Sequence, residues 1–266
     1  MIPSSRRQFV IRLASLATVA SSGMALSACM GDGGEPPVFS YGVCSGDPLA
    51  DRVMLWTHAQ VPNSSEDVPL TYEVATDASF ATLVSSGNTL ASAASGHTAK
   101  ADATGLAAGK DYFFRFRSGD AISPVGRTRT LPAAGATSVS LAVFSCSNYP
   151  AGYFNVYTEA AKSGAQFAVH LGDFIYEYGA DGYASTDAKA LGRVVEPANE
   201  CLSLADYRKR YAQYRSDPDS KVFSASLPLI AVWDDHEVAN DTYKDGAENH
   251  TTATEGSFAA RRAAAI

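Results

Sequence analysis

Three short apolar runs in the second half of the chain each end at residues able to bind metal or move protons. "SVSLAVFS" (138–145) leads into Cys146, "AQFAVHLGD" (165–173) ends at Asp173, and "PLIAVWDD" (228–235) opens the ionisable series Asp234, Asp235, His236 and Glu237. Continuous apolar runs of this length, bounded by turn residues, predict buried strands. The segments between them read as helices. Residues 153–164 have Gly164 as a C-terminal stop; residues 203–218 have Ser203 as a cap, Pro218 as a stop, and Leu204, Tyr207, Tyr211 and Tyr214 on one face. Strand, helix, strand, helix, strand predicts βαβ units and a mainly parallel sheet, in which ligands bind beyond the carboxyl ends of the strands. Leading a buried strand into four ionisable groups is costly unless they are paired or hold a metal.

The first half has a different texture. From Val38 to Pro132 short β-rich runs such as "RVMLWTHA", "LTYEVATD" and "DYFFRFRSG" are broken by turn residues, with apolar alternation near period two. "TGLAAGKDYFFRFR" places a Tyr just after a Gly-bearing turn, as in fibronectin-type or immunoglobulin-like sandwiches. The predicted organisation is an all-β sandwich over 38–132, a linker over 133–137, and the first part of an α/β domain over 138–266. A chain of 266 residues with 46% hydrophobic and 18% charged residues can bury the cores this requires. A net charge of −7 with no dense basic run argues against a nucleic-acid-binding surface.

Residues 1–29 read as an export signal. Arg6, Arg7 and Arg12 form its basic region, an interrupted apolar segment follows, and "LSAC" closes it at Cys29. The Arg6–Arg7 pair followed by Gln8-Phe9-Val10 resembles a twin-arginine signal. "LSAC" resembles a bacterial lipobox, with Cys29 as the lipidated residue; an ordinary cleaved signal is the plainer reading. Residues 30–37 are a Gly/Pro tether. The expected location is outside the cytoplasm, periplasmic or membrane-anchored at the cell envelope, with the twin-arginine machinery as a partner. Cys44, Cys146 and Cys201 remain, an odd number that allows at most one disulfide.

Each strand-end residue also has an unremarkable reading. Asp173 and Tyr176 in "GDFIYEY" could be a solvated turn carboxylate and a packing ring; at the end of a strand, a carboxylate and a phenol are instead hard metal ligands. Cys146 could be a small buried thiol, yet it sits where a thiolate would be a ligand. Asp235 and His236 can hold a metal, supply a proton donor, or steady a transferring phosphoryl group. Glu237 could orient or cap, and Asn240 and Asp241 are further ligands or supporting groups. His170 reads as a satisfied core histidine, while His58 and His97 read as surface residues.

The motifs "FSYGVCSGDPLADRVMLWTHAQVP", "FSCSNYPAGYFNVYTEAA", "HLGDFIYEYG", "YRKRYAQYRSDP", "IAVWDDHEVANDTYKDGAENH" and "EGSFAARRAA" together resemble the N-terminal portion of PhoD-like alkaline phosphatases, within the metallophosphoesterase superfamily. That resemblance implies a sandwich followed by an α/β catalytic domain. It implies an exported hydrolase of phosphate monoesters and diesters that uses iron and calcium and a metal-activated hydroxide or oxo nucleophile. Residue by residue, it implies Cys146 and Tyr176 as iron ligands, Asp173 as a bridge to calcium, Asp235 as a ligand, His236 at the phosphate and Asn240 as a calcium ligand. The alternatives are a purple acid phosphatase relative, disfavoured by Cys146 and by Asp234-Asp235, and a non-catalytic lipid-anchored binding protein. The family's remaining ligands have no counterpart before Ile266, so the expectation is an N-terminal fragment with an exposed sheet edge, weak in metal binding by itself.

Overall fold

The computed structural model describes residues 35–266, so the expectations for Arg6, Arg7 and Cys29 lie outside the described residues. The first half forms β1 (Val43–Gly46), β2 (Arg52–His58), β3 (Val68–Ala75), β4 (Leu83–Ala91), β5 (Thr98–Thr104), β6 (Asp111–Ser118), β7 (Ala121–Ile122) and β8 (Gly126–Arg129). The second half runs β9 (Leu141–Phe144), α1 (Asn155–Lys162), β10 (Phe167–His170), α2 (Ala188–Leu191), α3 (Leu204–Ser216), α4 (Pro218–Ser226), β11 (Leu229–Ala231), α5 (Thr252–Glu255) and α6 (Phe258–Ala265).

Two sheets result. One has five strands, with β8 also paired to β6, and its order is β4-β3-β6-β7. The other has six strands in the order β5-β2-β1-β11-β10-β9. The inner faces share one buried cluster, with Val53, Leu55 and Ala101 from one sheet against Leu70, Val74, Phe114 and Phe116 from the other. The six-stranded sheet joins the two halves of the chain. Its β9, β10 and β11 are parallel as expected, but β1 pairs in parallel with β11 and antiparallel with β2, so the whole sheet is mixed. Gly46 permits the junction, since a Cβ there would lie 2.7 Å from the Leu229 carbonyl oxygen.

The predicted parallel strands are shorter than their apolar runs. One face of β9–β11 packs under the helices through Ala142, Phe144, Ala168 and Leu229. Leu141, Val143, Ile230 and Val232 are exposed, so β11 is not the fully buried strand that its composition predicted. β9 is also an edge strand, and an open apolar edge is a site of association. Pro218 is a second correction. It does not close a helix but begins the next one, α4, where Asp217 caps the backbone N–H groups of Asp219 and Ser220. Ser203 and Asp206 form a capping box on α3 as its sequence implies.

The histidines divide by packing. His58 and His97 are 6% and 8% exposed, not surface residues, because β2 and the turn before β5 close over them beside Tyr41. His170 is a core residue as expected. Its Nε2 lies 3.0 Å from Ser147 Oγ and 3.1 Å from Tyr157 Oη, and its Nδ1 accepts from the Gly172 N–H at 3.3 Å. A second proton would face Nδ1–H toward that N–H. Burial, with a smaller contribution from Arg215, lowers the His170 pKa from 6.5 to about 4. The unfolded chain therefore takes up this proton below about pH 6.5 and the folded chain only near pH 4. Stability from this group is complete above that window and is lost as pH falls through it, by about 3 kcal/mol. Urea unfolding at pH 7 and pH 4.5 will show the loss, and His170→Gln will flatten the slope. An equal slope in both proteins would refute the assignment.

Candidate metal centre

The loops after β9, β10 and β11 meet at the carboxyl ends of the three parallel strands. The backbone there is unusual. Cys146 and Asp173 adopt φ of +60° and +55°, a left-handed conformation that non-glycine residues enter at a cost of about 1–3 kcal/mol each. Two hydrogen bonds tie the loops together in that conformation: Cys146 N–H to the Gly172 carbonyl at 3.2 Å and Ser147 N–H to the Asp173 carbonyl at 2.8 Å. Strain at both strand ends turns both side chains into the same space.

Asp173 is the hub. Its Oδ2 accepts from Tyr176 Oη at 3.2 Å and from Cys146 Sγ at 3.4 Å, and its Oδ1 accepts from the His236 N–H at 3.4 Å. Donor atoms of Asp173, Asp235 and His236 lie within 4.8 Å of one another. The Tyr176 ring stacks on His236 with centroids 4.1 Å apart. His236 Nδ1 lies 2.8 Å from Glu177 Oε2, which leaves Nε2 as the nitrogen available for other work. Asn240 stands apart from Asp173: its side-chain amide donates to Glu248 at 2.8 Å and its backbone N–H to Glu177 at 2.7 Å. The sequence readings thus converge on one point for Cys146, Asp173, Tyr176, Asp235 and His236, with Asn240 one step removed behind Glu177.

Two glutamates hold these groups in place. Glu177 is fully buried and orients His236 through the bond just described. Glu237 is 2% exposed and accepts three backbone N–H groups: Asp173 at 3.0 Å, Phe174 at 2.6 Å and Asp234 at 2.9 Å. One carboxylate therefore clamps the loop after β10 to the loop after β11. Sequence reasoning allowed Glu237 an orienting role and gave Glu177 none. The available signal was a charged residue inside apolar surroundings, "FIYEY" and "HEVA". From behind, the fully buried Arg210 of α3 donates to the carbonyls of Tyr176, Glu196 and Pro197. Tyr214 Oη accepts the N–H groups of Tyr149 and Tyr176 at 3.0 and 3.3 Å.

The electrostatics favour a cation. Burial raises the Asp173 carboxyl pKa, against the pull of His236, and raises Tyr176 far above the phenol range with help from Asp173 and Cys146. Burial works against a charge on His236, yet Glu177, Asp173 and Asp235 outweigh it and raise its pKa. A thiol, a phenol, two carboxylates and an imidazole crowd together, and Asp173 Oδ2 accepts two protons that a cation would replace. Carboxylate and phenolate oxygens with one sulfur form a mixed hard and soft set suited to a multivalent cation. The residues fit a metal.

Residues 141–266 match the PhoD-like phosphatase family, and residues 25–132 match the N-terminal domain of PhoD-like phosphatases. Alkaline phosphatase D of Bacillus subtilis (strain 168) is 40% identical over 235 residues, which cover 85% of this chain and 40% of that protein. A solved structure of PhoD is 39% identical and superposes with a TM-score of 0.78, over 87% of this chain and 45% of its own. The chain spans less than half the length of both relatives.

Proposed function

Since this chain belongs to the PhoD-like phosphatase family, we propose that it carries the metal-holding portion of an exported alkaline phosphatase or phosphodiesterase acting on phosphate esters. The observation behind this reading is the convergence on Asp173 of donors from three strand ends. In this reading Cys146 and Tyr176 would hold iron, Asp173 would serve both iron and calcium, Asp235 would be a further ligand, and Asn240 would serve the calcium side. A bound metal supplies Lewis acidity toward the phosphoryl oxygens and acidifies water.

The chain's own residues do the rest. His236 presents Nε2 toward the phosphoryl group, while Glu177 fixes the ring and favours its protonated form. It steadies negative charge on phosphoryl oxygen or gives a proton to the leaving oxygen. Tyr176 holds the imidazole against rotation by stacking on it, and Glu237 fixes the spacing of the two loops. The first-half sheets act as a fibronectin-like or immunoglobulin-like sandwich. Tyr112 supports this, because its hydroxyl is 2.9 Å from the Ala107 N–H five residues upstream, the hydrogen bond of a tyrosine corner. The α/β portion is the first part of a longer domain, Arg6 and Arg7 direct twin-arginine export, and Cys29 carries a lipid anchor.

Full-length protein assayed with p-nitrophenyl phosphate and its diester tests this. His236→Ala will lower turnover about a hundredfold with metal content unchanged. Tyr176→Phe will abolish a visible phenolate-to-iron(III) absorption band. Unchanged turnover in the first variant refutes the role of His236; a band that persists in the second refutes Tyr176 as an iron ligand.

A further inference from the structure

The loop between β10 and α2 carries an aromatic ring that the reading above leaves unused. Tyr183 is 65% exposed, more than any other large apolar or aromatic side chain among the described residues. Its ring centroid lies 6.5 Å from that of Tyr176, with 23° between the planes, and 6.2 Å from that of Tyr178. Tyr176 stacks on His236, and the Tyr178 ring stands 5.4 Å from the same imidazole. Tyr183 is therefore two ring contacts from His236 by either route. Its carbonyl accepts from the side-chain amide of Asn148 at 3.4 Å, two residues beyond Cys146. These contacts place Tyr183 on the solvent side of the metal centre.

The loop holds this ring in a set position. Ala180 N–H donates to the Ala198 carbonyl at 2.8 Å, Gly182 N–H to the Gly179 carbonyl at 2.9 Å, and Ser185 Oγ to the Gly182 carbonyl at 2.7 Å. A Cβ on residue 182 would lie 2.5 Å from Tyr178 Cβ, so glycine is what lets the chain fold this closely. Ala184 holds φ of +58°, a left-handed conformation that alanine enters at a cost. A ring needed only to cover Tyr176 would be buried in doing so. Tyr176 is 7% exposed, while Tyr183 keeps most of its surface in water. When a second ring stacks on a side chain already held in place, apolar area is removed from water with little further loss of freedom.

We propose that Tyr183, with Tyr178 beside it, is a specificity-determining platform, and that the favoured substrates are phosphate esters whose organic group is a planar aromatic ring. The proposal rests on the hydrolytic reading of the metal centre: the phosphoryl group lies at His236, and the organic ring lies on Tyr183. An aliphatic alcohol offers no flat face to the platform and gains less from it. Tyr183 contacts the substrate and takes no part in breaking the ester bond.

The test compares full-length, metal-loaded protein with Tyr183→Ala and Tyr183→Phe in two measurements. The first is the ratio of kcat/KM for p-nitrophenyl phosphate to that for glycerol phosphate. The second is calorimetric titration of phenylphosphonate and methylphosphonate, which bind without being hydrolysed. Aromatic stacking on a side chain contributes a factor of about ten, so Tyr183→Ala is expected to lower the ratio about tenfold through KM and to remove a similar preference for phenylphosphonate. Tyr183→Phe keeps the ring and is expected to keep both preferences. An unchanged ratio and an unchanged phosphonate preference in Tyr183→Ala overturn the proposal, as does loss of both in Tyr183→Phe or failure of the parent to bind either phosphonate. If neither ester is hydrolysed but the phosphonate preference depends on the Tyr183 ring, the hydrolytic reading fails and the platform stands. Tyr183 is exposed, so both variants fold.

Discussion

Gly172→Ala is expected to lower the unfolding free energy by roughly 4–5 kcal/mol, the sum of a strained backbone and a clash that cannot relax. Gly172 has φ of +110°, and a Cβ there would sit 2.3 Å from the Asp234 amide nitrogen, 2.5 Å from Asp234 Cβ and 2.8 Å from the Trp233 carbonyl carbon. Two of those are backbone atoms, so no rotamer change relieves the overlap. The substitution pushes apart the two loops that carry Asp173 and Asp235, and metal affinity falls with stability. Gly164→Ala separates the two contributions. Its φ is +77°, yet nothing lies within 4 Å of the added Cβ, so strain alone acts and costs about 1 kcal/mol. Urea unfolding of the two variants decides the matter. If Gly172→Ala were no worse than Gly164→Ala, the close approach of the loops would be wrong.

Glu237→Gln is expected to cost about 4 kcal/mol, because hydrogen bonds to a buried charged acceptor contribute roughly 1.5–3 kcal/mol each. Glutamine keeps one acceptor oxygen. Its NH₂ must face at least one of the N–H groups of Asp173, Phe174 and Asp234, donor against donor. Burial raises the Glu237 pKa and those three N–H bonds oppose the rise, so they are what makes the carboxylate tolerable inside the protein. The loss should appear in urea unfolding together with weakened metal binding, since the same bonds hold the loop that presents Asp173. A variant within 1 kcal/mol of the parent would show that the clamp is unimportant.

Much of the site was legible because strand ends are local features. An apolar run followed by Cys146, Asp173 or Asp235-His236 is visible in a few residues, and parallel strands bring such ends to one side of a sheet. The left-handed φ of Cys146 and Asp173 was not legible, since neither residue type requires it. Arg210 was missed for a related reason. Long basic side chains on a helix are normally solvated, and only the meeting of the 173–178 loop with the 196–197 segment supplies the three carbonyls that bury this one. Pro218 misled because a proline just beyond a helical run reads as a stop, whereas the same residue is equally suited to the first position of a following helix, where it sits.

The sequence by itself determined which residues have the chemistry, the βαβ order that aligns them, and the β-rich character of the first half. Local periodicity and turn residues encode these within about ten residues. Only the tertiary structure decided that one sheet joins the two halves through Gly46 and Leu229, and that Glu177 and Glu237 rather than solvent meet His236 and the amides of Asp173 and Phe174. Each of these contacts links residues far apart in the chain. Hydrogen-bond partners at that separation are set by three-dimensional packing, which no local pattern specifies.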